Sequence, residues 1–229
     1  MEKLRIGAVT VAQSPRTDIM CDAPRYLGDR VEIMEFGALD RYSVAEAMRL
    51  QPVPGDYILT SRLQNGVEVQ VSRSQIADEL QRGIHFLEKY GARVILVLCT
   101  GDLGSFTSTV PLLEPNRLLR AVVPQLTRRR QILTLTPSRE QLEQSEQRWR
   151  KAFPEFSFTS FAVSPYSTGQ IDEKTVQAIE GEKEADLLIM DCLGFSCQMR
   201  EQLQQRISKN ILLPRSLLFR VTAELLGLT

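Results

Sequence analysis

Residues 94–101 read VILVLCTG, and residues 187–194 read LLIMDCLG. In both, a short unbroken apolar run gives way to a cysteine, directly at Cys99 and one residue later at Cys192, with a glycine two positions on. Runs this short, with no polar residue on either face, are strands buried on both sides, which a parallel sheet covered by helices provides. The cysteines stand 93 positions apart, 99 against 192, about the length of one small α/β unit. The chain of 229 residues is therefore expected to hold two such units in tandem.

The flanking sequence supports that rhythm. Residues 4–11 are another nearly continuous apolar strand, and Ser14-Pro15-Arg16-Thr17-Asp18 carries the marks of a helix start: a capping serine, proline at the first helical position and an acid in the first turn. That helix should reach Asp22, ahead of Pro24. A strand over 31–36 and a short helix over 44–48 follow. Residues 57–63 and 67–71 flank Asn65-Gly66, the signal of an antiparallel hairpin, which interrupts the alternation. Ile76, Leu80, Ile84 and Leu87 recur at helical spacing between Ser72 and Gly91. Beyond the first cysteine we expect a helix over 111–126, a strand over 131–136, a helix over 138–151, a strand over 156–163 and a helix over 172–180. After the second cysteine come helices over 196–207 and 214–226, joined through apolar residues 211–213. Strand and helix alternate from end to end, which predicts mainly parallel sheets with helices on both faces.

Ligands of open α/β sheets bind outside the carboxyl ends of the strands, where both cysteines fall. If the two units face each other, the thiols meet across one cleft. Helix N-termini lower a thiol's pKa and apolar burial raises it, so one thiolate could take a proton and one thiol give one. Two such groups on opposite faces of a carbon invert it. On the same rim, Ser14 and Arg16 combine a hydroxyl, free backbone donors and a guanidinium suited to a carboxylate. Thr10, Thr100, Gly101, Asp102, Thr136, Asp191 and Gly194 are further rim positions for ligand contact. Cys21 and Cys197 are expected to be packing residues and His85 an ordinary helix-face residue. Arg128-Arg129-Arg130 is expected in a solvated loop. Residues 140–150, where only Leu142 and Trp149 are apolar, are expected to form an exposed helix.

Twenty-eight basic residues balance 28 acidic ones, so the chain has no net field to hold nucleic acid or an anionic membrane. No apolar run approaches the roughly 20 residues that cross a bilayer, no secretory signal opens the chain, and the expected compartment is the cytoplasm. The four cysteines make no C-x-x-C pair and share no metal-type spacing with His85, the single histidine. No G-x-G-x-x-G, Walker sequence or G-x-S-x-G elbow is present. Neither metal nor cofactor is expected, and a small molecule is the default partner.

Three segments, IGAVTVAQSPRTDI near the start, LVLCTGDLGSF and IMDCLGF, together resemble the AroM family, which is itself similar to the aspartate/glutamate/hydantoin racemase superfamily. The resemblance covers essentially the whole chain. It implies two pseudo-symmetric Rossmann-like lobes with a substrate cleft between them: residues 1–112 plus 208–229 as the first, completed by the C-terminal helix, and 113–207 as the second. It implies cofactor-independent proton transfer at the α-carbon of a small carboxylate, with Cys99 and Cys192 as acid and base. Alternatives within the superfamily are a cysteine-nucleophile isomerase or decarboxylase of a small diacid. A non-catalytic metabolite-binding protein linked to aromatic amino acid or shikimate metabolism is a third reading. Where the better-known racemases show Cys-Asn-Thr and Cys-Thr, this chain has Cys99-Thr100-Gly101 and Cys192-Leu193-Gly194, so substrate contacts do not carry over there. The expected partners are a small carboxylate and a second copy of the chain in a homodimer.

Overall fold

The computed structural model describes residues 3–166 and 171–228. Strands β1 (Leu4–Thr10), β2 (Val31–Gly37), β5 (Ile95–Val97) and β6 (Leu112–Leu113) form one sheet in the order β2-β1-β5-β6. Strands β7 (Gln131–Thr136), β8 (Ser157–Ala162), β9 (Ala185–Met190) and β10 (Asn210–Leu212) form a second, in the order β10-β9-β7-β8. Every pairing within these two sheets is parallel. Strands β3 (Ile58–Arg62) and β4 (Glu68–Ser72) pair antiparallel as a separate hairpin, turned through Gly66 at φ +88°.

The side-chain alternation of a strand feeds each sheet's two faces. Along β5 and its flanks, Ile95 and Val97 enter a core with α4 (Arg73–Tyr90) and the hairpin, while Val94, Leu96 and Leu98 enter one on the opposite face. Likewise Leu188 and Met190 of β9 join one core, and Leu187 and Ile189 the other. Double-sided burial is why residues 94–98 and 187–190 are unbroken apolar runs. In the second lobe, α5 (Pro115–Leu126), α6 (Leu142–Ala152), α7 (Glu173–Gly181) and α8 (Cys197–Gln204) complete the layers. The C-terminal helix α9 (Pro214–Leu225) buries Leu218, Phe219 and Ala223 with Ile6, Ala8 and Leu96 of the first sheet, while Leu217 packs toward Leu187 and Ile189 of the second.

The structure departs from the sequence reading at four places. The expected helix from Ser14 to Asp22 is a single turn, α1 (Thr17–Met20), and a second turn, α2 (Pro24–Leu27), follows where the chain was expected to leave the helix. Ser14 does not cap: its amide and hydroxyl both donate to Asp40, at 2.7 Å each, and the same carboxylate accepts the Gly37 amide. Residues 112–113 are strand β6, so α5 begins at Pro115, four residues later than expected. Residues 211–213, expected as a linker, contribute to β10, which pairs with β9; residues 210–212 thus belong to the second sheet and not, as expected, with the first lobe. Finally, residues 140–150 do not form an exposed helix: Gln141, Ser145, Arg148 and Trp149 of this stretch are buried, because the face turned inward lies on a polar cleft.

Candidate functional site

Both apolar strands end at the gap between the sheets, and the cysteines after them line one cleft. The space between its walls, open solvent included, is about 510 Å³. Cys99 is half-buried and Cys192 buried, and neither forms a disulfide. Their surroundings match: the Gly101 amide donates to Cys99 Sγ at 3.3 Å, and the Gly194 amide to Cys192 Sγ at 3.3 Å. Neither glycine has a positive φ. They are needed for close approach, since a Cβ on Gly101 would lie 2.7 Å from Leu59 Cδ2 and one on Gly194 2.6 Å from Pro165 Cγ.

Burial governs the ionisation of both thiols. Loss of solvent pushes Cys99 up to about 12, against the pull of the Gly101 amide, and raises Cys192 in the same sense, against the Gly194 amide and the Tyr166 hydroxyl. Tyr166 places that hydroxyl 3.7 Å from Cys192 Sγ, and burial lifts it well above its ordinary range, which keeps it a neutral phenol.

Of the rim positions read from the sequence, Arg16, Cys99, Thr100, Gly101, Thr136, Asp191, Cys192 and Gly194 line the cleft. Thr10, Ser14 and Asp102 do not. Thr10 lies beneath, its Oγ1 accepting from Arg16 at 3.1 Å; Ser14 is spent on Asp40; Asp102 turns toward Gly104, whose amide it accepts at 3.1 Å. Arg16 is 2% exposed and its five donors are engaged within the protein: Nε and Nη2 on the Asp18 carboxylate at 2.9 and 2.8 Å, Nη1 on Thr10 and Ser61, and Nη2 also on Tyr166 at 3.4 Å. Burial would raise the Asp18 carboxyl, but the Arg16 bonds outweigh it and hold it below its usual value.

Sequence reasoning missed Tyr57, Thr60, Ser61, Gln141, Ser145, Arg148 and Tyr166, all of which line the cleft. The spacing of 141, 145 and 148 is helical, but these residues are polar, and polar periodicity marks solvent as readily as a site. Asp191 accepts from Arg148 Nη2, from Trp149 Nε1 at 2.8 Å and from the Ser145 hydroxyl at 3.4 Å; burial pushes its carboxyl up against the pull of Arg148. Four buried side-chain atoms of lining residues, Thr60 Oγ1, Gln141 Oε1, Arg148 Nε and Asp191 Oδ1, have no hydrogen-bond partner, the condition expected of a polar binding site. His85 and the Arg128-Arg129-Arg130 run are exposed, as expected. Cys197 is buried, whereas Cys21, expected to pack, is exposed, because α1 ends before it.

A family model described as AroM protein matches residues 6–226. The chain belongs to the AroM family. No protein of curated function matches it significantly in sequence. Among solved structures, this family member is similar to allantoin racemase from Klebsiella pneumoniae, with a TM-score of 0.67 at 12% identity over 99% of this chain and 89% of that one. It is similar to glutamate racemase from Francisella tularensis in complex with D-glutamate, with a TM-score of 0.61 at 13% identity over 99% and 82%. The maleate isomerase Iso from Pseudomonas putida S16 gives a TM-score of 0.60 at 11% identity over 99% and 94%. At these identities the likeness is one of fold, the two-lobed α/β architecture of racemases and isomerases. Among the described residues no helix is long and apolar enough to cross a membrane.

Proposed function

We propose that this AroM family member is a cofactor-independent racemase or epimerase that exchanges the proton on the carbon next to the carboxylate of a small acid. The observation that carries the reading is the matched pair of strand-end cysteines, each with a glycine amide 3.3 Å from its sulfur, lining a single cleft. One cysteine, as thiolate, takes the α-proton from one face. The opposite thiol gives its proton to the other face of the resulting carbanion, so the two sulfurs exchange protonation states and no oxidant or reductant is needed. Arg16 receives the carboxylate through Nη2, where the ligand displaces the longest of its contacts, that with Tyr166 at 3.4 Å, while Asp18 keeps the guanidinium in place.

Because burial raises both thiols, thiolate is the scarce form at neutral pH, and turnover should rise about tenfold per pH unit across the neutral range. The test is incubation with a panel of chiral 2-amino, 2-hydroxy and N-carbamoyl acids in deuterated water. Solvent deuterium should enter the α-position, at a rate that climbs with pH and is abolished by Cys99→Ala and by Cys192→Ala. A panel that returns unlabelled counts against the proposal.

One asymmetry favours a second reading, a cysteine-nucleophile isomerase or decarboxylase of a small diacid: Tyr166 stands beside Cys192, and no described hydroxyl stands at bonding distance from Cys99. A covalent adduct on Cys192 alone, seen by intact mass with maleate and related diacids, with Cys99→Ala still active, would select it.

A further inference from the structure

Each cleft-lining sulfur is faced by one peptide unit, and each of those units is gripped from behind by a buried arginine. The Gly101 amide that donates to Cys99 shares its peptide with the Thr100 carbonyl, which accepts from Arg148 Nη1 at 2.9 Å. The Gly194 amide that donates to Cys192 shares its peptide with the Leu193 carbonyl, which accepts from Arg215 Nε at 2.9 Å and Nη2 at 2.7 Å. Arg215 Nη2 also holds the Gly194 carbonyl at 2.9 Å. Each grip crosses between lobes. Arg148 stands on α6 of the second lobe, beside its counter-ion Asp191, and reaches the loop of the first-lobe cysteine. Arg215 stands on α9, packed on the first sheet and paired with Asp22 at 2.7 Å, and reaches the loop of the second-lobe cysteine. Both are buried, Arg215 completely.

In a trans peptide the C=O and N–H point in opposite directions. A cation on the oxygen therefore polarises the unit and strengthens donation from the nitrogen. We infer that Arg148 and Arg215 are reciprocal positioning residues, each holding and polarising the peptide that faces the cysteine of the opposite lobe. Packing of the two lobes then sets the acidity of both thiols together. This rests on the reading of Cys99 and Cys192 as proton-transfer groups. The other groups facing them are Tyr57, Asp191 and Arg148 at Cys99, and Tyr166, Arg16 and Asp191 at Cys192, with each thiol also facing the other.

The experiment is site-resolved mass spectrometry of iodoacetamide labelling between pH 7 and 9, without substrate, with exposed Cys21 as internal reference. At fixed pH, Arg215→Met should slow labelling of Cys192 about tenfold, the equivalent of one pKa unit, and leave Cys99 within about twofold. Arg215→Lys keeps the charge but not the fork and should slow Cys192 less. Arg148→Lys should slow Cys99 more than Cys192. Loosened structure acts in the opposite sense, exposing and accelerating both cysteines. Labelling of the facing cysteine that is unchanged or faster, or equal slowing of both by each variant, overturns the inference. Where Arg215→Met does not fold, the two lysine variants decide it. Because the readout needs no turnover, a failure of deuterium exchange leaves this result standing, and the reverse also holds.

Discussion

Arg16 is the residue on which the proposed carboxylate binding and stability meet. Its guanidinium lies among Thr10, Ser61 and Tyr166, and among the described residues only Asp18 balances its charge at bonding distance. Removing one partner of a buried pair leaves the other charge without compensation. Asp18→Asn should therefore destabilise the fold by about 3 kcal/mol at pH 7, the low end for a buried pair because Asp18 keeps some exposure. The folded-state carboxyl lies below its ordinary value, so its stabilisation is present above the unfolded value of about 3.9 and is lost as pH falls through the folded one. Urea unfolding at pH 7 and near pH 3 checks both parts: the gap between wild type and variant should be smaller at the second than at the first. A gap undiminished at low pH would mean the loss is one of shape and not of charge. Ser14, three positions after the end of the apolar stretch 4–11, illustrates the limit of residue-level reading: its cap signal was legible, but Asp40, 26 positions away, was not and takes both of its donors.

At the scale of elements, the cysteine strands were legible because burial on both faces leaves a continuous apolar run that no surface strand shows. The polar elements around them were not. Gln141, Ser145 and Arg148 occupy the cleft face of the α6 region, and in sequence a helix face turned to a polar cleft looks like one turned to water. The glycine two positions after each cysteine was legible as a rim position for ligand contact, though what approaches it here is protein. A Cβ at Gly194 would lie 2.6 Å from Pro165 Cγ and 2.7 Å from Tyr166 Cε1, so Gly194→Ala must push the segment after β8 away from the Cys192 loop. Overpacking of this kind destabilises by roughly 1–3 kcal/mol, and it should move the Tyr166 hydroxyl off the sulfur. The expected outcome is a lower melting temperature together with slower alkylation of Cys192, whose thiolate loses the hydroxyl that favours it, while Cys99 keeps its rate. A variant with unchanged melting and labelling would show that the segment yields freely.

For the molecule as a whole, the duplicated strand–cysteine pattern made a pair of α/β units legible, whereas the polar groups that join them were not, because Arg148 lies on a stretch expected to be exposed and nothing in the sequence marks Arg215 as buried. Helix α9 serves both lobes: Leu218 and Phe219 are fully buried against the first sheet, Leu217 packs toward the second, and Arg215 holds the Cys192 loop. Leu193 of that loop is in turn buried in the first sheet's outer core. Burying one large apolar side chain contributes about 1.5–3 kcal/mol, so Leu218 and Phe219 alone supply an amount comparable to the low end of a domain's net stability of about 5–15 kcal/mol. A chain ended after Leu213 loses this contribution and exposes the face of β1 and β5 that bears Ile6, Ala8 and Leu96. It should therefore lack a cooperative thermal transition by circular dichroism and be cleaved by protease throughout, not at the new end alone, whereas the full chain should melt in one step. A truncated chain that melts cooperatively with its second lobe protected would show that the lobes fold independently, and that α9 tunes the cleft without holding the molecule together.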